Sequence, residues 1–408
     1  MQRATPEDVG LSSVGLDMVD NAVRAQIDAG VLAGAATLVA RHGKIARIRL
    51  MGLKDIAAAE PIAEDTIFRI FSMTKPITGT AMMILHDEGL WSPDDPIAKH
   101  LPELAGLQVF AGDNADGTPI LETPAHAPTM GELMTHRAGF AYGIDVGEPG
   151  DGVEALYRTA GVLQANNLAD MVARLAPLPL AYQPGSRWRY SLSMDVQGAI
   201  IERLSGQTLS DFLRCRIFEP LGMVDTAFFI APDKKHRLAT LYFKAGEAPL
   251  VPIANPLKPD PECEPGMAMG GAGLFSTILD YARFAQMLLN GGELEGTRIV
   301  SAHGIREQMT NRLPDDLLET RFVAGHQHFR PGFGYGYNGA VFTDPALAGV
   351  PVGKGSYHWD GAAGTWFWVD PENDLLFVGM IQLLSYAAPP LQATTQMLMA
   401  GAITPPRV

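Results

Sequence analysis

The chain has no apolar run of membrane-spanning length, no stretch of Lys or Arg, no cysteine-rich framework and no G-x-S-x-G. Each absence closes a class of function. A membrane span needs about 20 consecutive apolar residues, and Met1-Gln2-Arg3-Ala4-Thr5-Pro6-Glu7-Asp8-Val9-Gly10 lacks the basic-then-apolar order of a secretory leader. A soluble, cytoplasmic protein with no membrane partner is expected. Lys and Arg number 31 against 45 Asp and Glu, a formal charge of −14, which disfavours an extended phosphate-binding surface and with it nucleic acid. The two cysteines, Cys215 and Cys263, lie in unlike contexts. They suggest neither a disulfide framework nor a metal site, and reduced structural thiols are expected. Without G-x-S-x-G the chain does not carry the nucleophile elbow of an α/β-hydrolase.

Two further patterns fall short of a cofactor site. His326-Gln327-His328 has no acidic or cysteine partner at a metal-ligand spacing, and Gly271-Ala272-Gly273 lacks the third glycine and the preceding apolar strand of a dinucleotide loop. No metal or cofactor is expected.

What is present is 47% hydrophobic content over 408 residues, enough for one large or two moderate domains with a substantial core. Residues 35–40 and 45–50 read as strands joined by a hairpin turn at Arg41-His42-Gly43-Lys44. Beyond Leu90 the pattern changes to short helices between Pro- and Gly-rich loops, with a long polar stretch over 111–128. Thr129-Met130-Gly131-Glu132 has the form of a capping box opening a helix that ends near Gly139. Residues 168–175 and 194–204 read as helices, the second closed by Gly206. Strands return over 333–342, and 364–370 with 375–381 form a hairpin across Pro371-Glu372-Asn373-Asp374. The expected fold is α+β: an antiparallel sheet built from both chain termini and flanked by helices. Residues 1–88 and 206–408 would form one α/β domain, 89–205 an inserted, mainly helical one, with the active site at their interface.

Ser72-Met73-Thr74-Lys75 follows the apolar run 66–71 and heads a predicted helix. Residues i and i+3 share a helix face, so the Lys75 ammonium can lie beside the Ser72 hydroxyl. A desolvated lysine kept neutral, or one poised beside a second base, can take the proton of a serine that is otherwise a weak nucleophile. An N-cap serine with a solvated lysine one turn later satisfies the same spacing. The context favours the first reading: Pro76 fits the first turn, Ile77, Ala81, Ile84 and Leu85 share a buried face, and Gly89 supplies the stop.

Ser72-Met73-Thr74-Lys75, Tyr190-Ser191-Leu192 and Trp359-Asp360-Gly361 resemble, in that order, the S-x-x-K, Y-x-N and K-T-G elements of the serine β-lactamase and penicillin-binding-protein superfamily. Thr135-His136-Arg137-Ala138-Gly139 resembles its H-T-S-G loop, and residues 270–277 its glycine-rich loop before a helix. Within the superfamily the chain is most similar to the family VIII carboxylesterases. The resemblance implies a β-lactamase-like fold and an acyl-enzyme on Ser72, with Tyr190 as principal base and Lys75 as its activator. It also implies an oxyanion hole from the backbone N–H groups of Ser72 and Ala362, the latter on the strand after Gly361. The substrate-contacting positions it marks are Trp359, Asp360, Gly361 and Leu192, with Phe71 and Phe140 beside the motifs.

Where the lactamase pattern has Asn and Lys, this chain has Leu192 and Trp359. It therefore lacks an amide for a substrate carboxamide and an ammonium for a substrate carboxylate, and burying an unpaired carboxylate costs several kcal/mol. Neutral small-molecule esters with short to medium acyl groups are expected, although a tryptophan there also suits core packing. A β-lactamase, D-amino-acid peptidase or acyltransferase of the same fold, and a catalytically silent binding protein, are the competing classes.

Overall fold

His42 and Gly43 turn the chain between the strands Gly34–Arg41 and Lys44–Asp55, and both have positive φ, 53° and 71°. A two-residue hairpin with the twist of its strands needs that pair of left-handed residues. In this computed structural model, which describes residues 1–144, 152–257, 260, 262–318, 322–324, 327–385 and 388–404, the hairpin sits inside a nine-stranded sheet. Its order is Gln2–Arg3, Lys44–Asp55, Gly34–Arg41, Leu375–Met380, Trp366–Asp370, Tyr357–Asp360, Ala340–Phe342 and Phe333–Tyr335, with Glu60–Pro61 paired to Lys44–Asp55. All its pairings are antiparallel except that of Gln2–Arg3. The fold is thus α+β with a sheet drawn from both ends of the chain, and the hairpin over 366–380 forms as its sequence predicts.

Both faces of the sheet are covered, because side chains alternate between two apolar clusters. Leu38, Leu376 and Val378 point to the main core, which the helices Thr74–Asp87 and Ile278–Leu289 also fill. Val39, Leu375 and Phe377 point to the other face, closed by Ser13–Asp28 and Leu391–Ala402. The main cluster runs on through residues between 91 and 201, so apolar packing is continuous across positions 88/89 and 205/206.

The helix at Thr74–Asp87 is buried on every side from Thr74 to Leu85, not only along its expected apolar stripe. Its threonines are satisfied internally: Thr78 Oγ1 donates to Gly270 O at 2.7 Å, Thr80 Oγ1 to Pro76 O at 3.1 Å, and Thr74 Oγ1 accepts from Leu274 N at 3.2 Å. The capping box at Thr129 forms with both of its bonds, but the helix spans only Met130–Met134. It stops early because Thr135 Oγ1 turns back to Gly131 O and His136 adopts φ 57°. The polar stretch 111–128 contains part of a hairpin, Val109–Asp113 with Pro119–Glu122. The helices Leu168–Leu175 and Ser193–Ser205, the latter capped by Gly206 at φ 69°, match expectation.

Among the described residues no helix is long and apolar enough to cross a membrane, and no cluster of His, Cys, Asp and Glu is arranged to hold a metal. His326 lies outside the described residues. Cys215 and Cys263 are unpaired and exposed rather than buried.

Candidate active site

Ser72 lies in a single 3-10 turn, Phe71–Met73, between the short strand Phe68–Arg69 and the Thr74–Asp87 helix. Phe68–Arg69 pairs with Phe275–Ser276, which fixes the approach to Ser72 beside the glycine-rich loop. Phe71 has φ 43°, a conformation a phenylalanine keeps only where its surroundings hold it. The backbone is held on both sides: Ile70 N donates to Leu274 O at 3.1 Å and Met73 N to Ile70 O at 3.0 Å. Ser72 itself is half-buried.

Lys75 is fully buried, and its Nζ donates to Gly271 O at 2.7 Å, Ser72 Oγ at 3.2 Å and Tyr142 OH at 3.3 Å. Burial pushes its pKa down to about 7, against the opposing pull of the Asp195 and Asp360 carboxylates. Asp195, in the first turn of Ser193–Ser205, is equally buried. Its Oδ1 accepts from Gly271 N at 3.1 Å, while Oδ2 has no hydrogen-bond partner, and burial holds the carboxyl above the usual range. Gly271 is where these groups converge: a Cβ there would lie 2.9 Å from Asp195 Oδ2, 3.3 Å from Tyr142 OH and 3.4 Å from Lys75 Nζ. Only glycine leaves its carbonyl free to approach the ammonium without filling that space.

Tyr190 OH donates to Ser72 Oγ at 2.6 Å, and its ring centroid is 4.4 Å from Lys75 Nζ. Burial raises the phenol well above its ordinary pKa and the Asp360 and Asp195 charges add to the rise, while the Ser72 bond and the Trp359 side chain oppose it. The indole N–H of Trp359 meets no partner in ordinary hydrogen-bond geometry, yet it lies close enough to Tyr190 to favour the phenolate. The resting side chain is a neutral phenol. Tyr190 OH and Lys75 Nζ thus both reach Ser72 Oγ, the first as a phenol whose pKa burial raises and the second as an amine whose pKa burial lowers.

The segment carrying Tyr190 is held by the loop around His136. Arg189 N donates to His136 O at 3.1 Å, Ser191 N to His136 Nδ1 at 3.2 Å and Leu192 N to Ala141 O at 3.1 Å. The His136 and Tyr142 rings lie 4.9 and 5.4 Å from that of Tyr190, and burial keeps His136 neutral.

The structure brings Ser72, Lys75 and Tyr190 into hydrogen-bond contact. The substrate-contacting positions fare differently. Leu192 and Phe140 are sealed in the main core, 0% and 1% exposed, so neither offers surface to a substrate. Leu192 serves instead as the N-cap position of Ser193–Ser205. Trp359 is also buried and faces Tyr190 at 5.8 Å between ring centroids, so it backs the Tyr190 ring rather than walling an open pocket. The space beside Gly361 is taken by protein: a Cβ there would collide with Ile70 O and Thr365 Oγ1. The strand ends at Asp360, and Ala362 lies in the turn that follows, exposed to solvent. Asp360 is nearly buried and its charge acts on both Lys75 and Tyr190. Sequence reasoning missed Tyr142 and Asp195, whose one signal is a tyrosine amid small residues and an acidic residue in the first turn of a helix.

A family model described as Beta-lactamase matches residues 19–401. Protein Rv1367c of Mycobacterium tuberculosis (strain ATCC 25618 / H37Rv) is 37% identical over 373 residues, 90% of each chain. Esterase EstB of Burkholderia gladioli is 34% identical over 357 residues, 82% of each chain. Among solved structures, EstCE1, a hydrolase with promiscuous acyltransferase activity, has a TM-score of 0.75 at 24% identity, over 95% of this chain and 98% of that one, which is a likeness of fold.

Proposed function

The chain belongs to the beta-lactamase family, and from that membership we propose that it is a carboxylesterase-type serine hydrolase that cleaves small neutral esters of short to medium acyl chain. The observation that carries the proposal is Ser72 Oγ, held at once by Tyr190 OH at 2.6 Å and by the desolvated Lys75 Nζ at 3.2 Å. The name of Esterase EstB, a relative across most of the chain, supports the choice of ester.

In this reading neutral Lys75 takes the Ser72 proton as Oγ bonds to the ester carbonyl carbon. The oxyanion that forms meets the N–H groups of Ser72 and Ala362, each worth about 3 kcal/mol at the transition state. As the intermediate collapses, Tyr190 gives its phenolic proton to the leaving alcohol and is reprotonated at the expense of the Lys75 ammonium. Water then attacks the acyl-enzyme by the same steps in reverse, and ester plus water become acid plus alcohol. Asp360 adds negative charge beside the pair, which disfavours anionic substrates as does the missing ammonium at Trp359. The division into 1–88 with 206–408 and 89–205 belongs to the same proposal, with Ser72 and Lys75 from one part meeting Tyr190 from the other.

The test pairs p-nitrophenyl acetate with a chromogenic cephalosporin, in the wild type and in Ser72→Ala. Rapid ester turnover, slow cephalosporin turnover and loss of both in Ser72→Ala are expected. Cephalosporin turnover equal to or better than that of the ester sinks the esterase assignment, and ester turnover that survives Ser72→Ala removes the nucleophile.

A further inference from the structure

Glu154 lies in the first turn of the helix Gly152–Thr159 and is buried. A carboxylate taken out of water is kept only where donors meet it. Here the donors arrive from two segments outside its own helix. Gly143 N donates to Oε2 at 2.5 Å and Tyr142 N lies 3.2 Å from both oxygens, while Arg189 Nη2 donates to Oε1 at 2.8 Å.

Both segments bear on Tyr190. The Tyr142 ring is stacked on the Tyr190 ring, with centroids 5.4 Å apart and planes 21° from parallel. Arg189 belongs to the strip whose backbone is fixed on the His136 loop, through Arg189 N to His136 O and Ser191 N to His136 Nδ1. The strip is therefore held twice, by its backbone at His136 and by the Arg189 side chain at Glu154. What this frame delivers is Tyr190 OH at 2.6 Å from Ser72 Oγ. A displacement on the order of 1 Å would break that bond, and in a positioned site it costs about a hundredfold.

We propose that Glu154 is a positioning residue for Tyr190: by drawing the Arg189 guanidinium and the Tyr142 backbone to one carboxylate, it keeps the phenol directed at Ser72 Oγ. The inference rests on the esterase reading, in which that phenol protonates the leaving alcohol, and adds to it a residue that none of the sequence motifs contains. Glutamine at 154 keeps the shape but not the function. It offers one acceptor oxygen where three donors arrive, turns an NH2 group towards one of them, and removes the charge that faces Arg189.

The test compares ethyl acetate with p-nitrophenyl acetate. Both give the same acetyl-enzyme, so their kcat/KM values differ only in acylation, and only ethanol needs an acid in order to leave, p-nitrophenolate being a stable anion. Glu154→Gln is expected to lower kcat/KM about tenfold for ethyl acetate and less than about threefold for p-nitrophenyl acetate. In a Tyr190→Phe background the same substitution should change neither value by more than about twofold, because the group it positions is gone. Equal losses for the two esters, or a loss for ethyl acetate that persists at full size without the Tyr190 hydroxyl, overturns the positioning role, since a general loss of folded protein does both. If circular dichroism shows Glu154→Gln to be unfolded, Glu154→Asp carries the same comparison, because it keeps the charge and withdraws it by one methylene. Absence of ester turnover in the wild type overturns the esterase reading instead. Labelling of Ser72 by a fluorophosphonate then decides the positioning role alone: slowing of about tenfold by Glu154→Gln, only where Tyr190 keeps its hydroxyl, supports it, and equal slowing in both backgrounds overturns it.

Discussion

At Lys75 the ammonium has three hydrogens and three acceptors within 3.3 Å, all of them protein atoms. Burial of the charge disfavours the protonated form despite these three hydrogen bonds. Asp195 and Asp360 act against that loss by favouring the ammonium. The sign of a test follows: removing the Asp195 charge lowers the Lys75 pKa further, and a rate that needs the neutral amine should then persist to lower pH. Asp195→Asn keeps an acceptor for Gly271 N, and its kcat/KM profile from pH 5 to 9 is expected to have its acid limb shifted down by roughly one pH unit. A limb that stays fixed or moves upward assigns the base elsewhere. Tyr190→Phe separates the roles, since it should lose at least about a hundredfold in kcat while the acid limb stays where Lys75 puts it. A near-normal kcat would leave the proton transfers to Lys75 alone.

The loop Gly270–Gly273 acts as one element, because Gly271 accepts from Lys75 Nζ through its carbonyl and donates to Asp195 Oδ1 through its N–H. Gly271→Ala places a methyl 2.9 Å from Asp195 Oδ2 and 3.4 Å from Lys75 Nζ, and one of these groups or the loop must move. A fall in kcat of at least about tenfold with an unchanged circular dichroism spectrum is expected, since a displacement on the order of 1 Å already costs about a hundredfold in a positioned site. Retained activity would mean that the loop relaxes freely and does not set the lysine. This loop also shows how far the sequence could be read. Ser72, Lys75 and Tyr190 stand in motifs whose order carries information, whereas Tyr142 and Asp195 are ordinary polar residues until folding brings them to Gly271. The hairpin over 109–122 is hidden because its second strand is exposed throughout and shows no apolar alternation, and a bulge interrupts the pairing near Gly112. That Thr74, Thr78 and Thr80 are buried could not be read locally, because their partners Leu274, Gly270 and Gln308 lie far along the chain. Phe140 and Leu192 fail as substrate contacts for a related reason: nearness to a motif along the chain does not fix which way a side chain turns.

The two chain ends are joined in space far more closely than in sequence, and that closure seals the outer face of the sheet. Ser12 N donates to Ala402 O at 2.8 Å and Thr404 N to Gly10 O at 3.0 Å, bringing Ser13–Asp28 and Leu391–Ala402 together over Trp366, Trp368 and Phe377. Gly15 is the point of closest approach: a Cβ there would lie 2.5 Å from the Ala402 Cα and 2.9 Å from its Cβ. Two effects compete in Gly15→Ala. Helix propensity favours alanine by about 1 kcal/mol, but a methyl pressed on a backbone atom that cannot swing aside costs about 1–3 kcal/mol. The contact should win, with a lower Tm. Gly401→Ala supplies the control, since Gly401 lies in the same helix pair with open space around it and should show only the propensity gain, a Tm unchanged or raised. Opposite shifts in the two variants would tie stability to the joining of the termini. A rise in both would mean that the helices stand further apart than their hydrogen bonds imply, and that the sheet's outer face is sealed by something other than this contact.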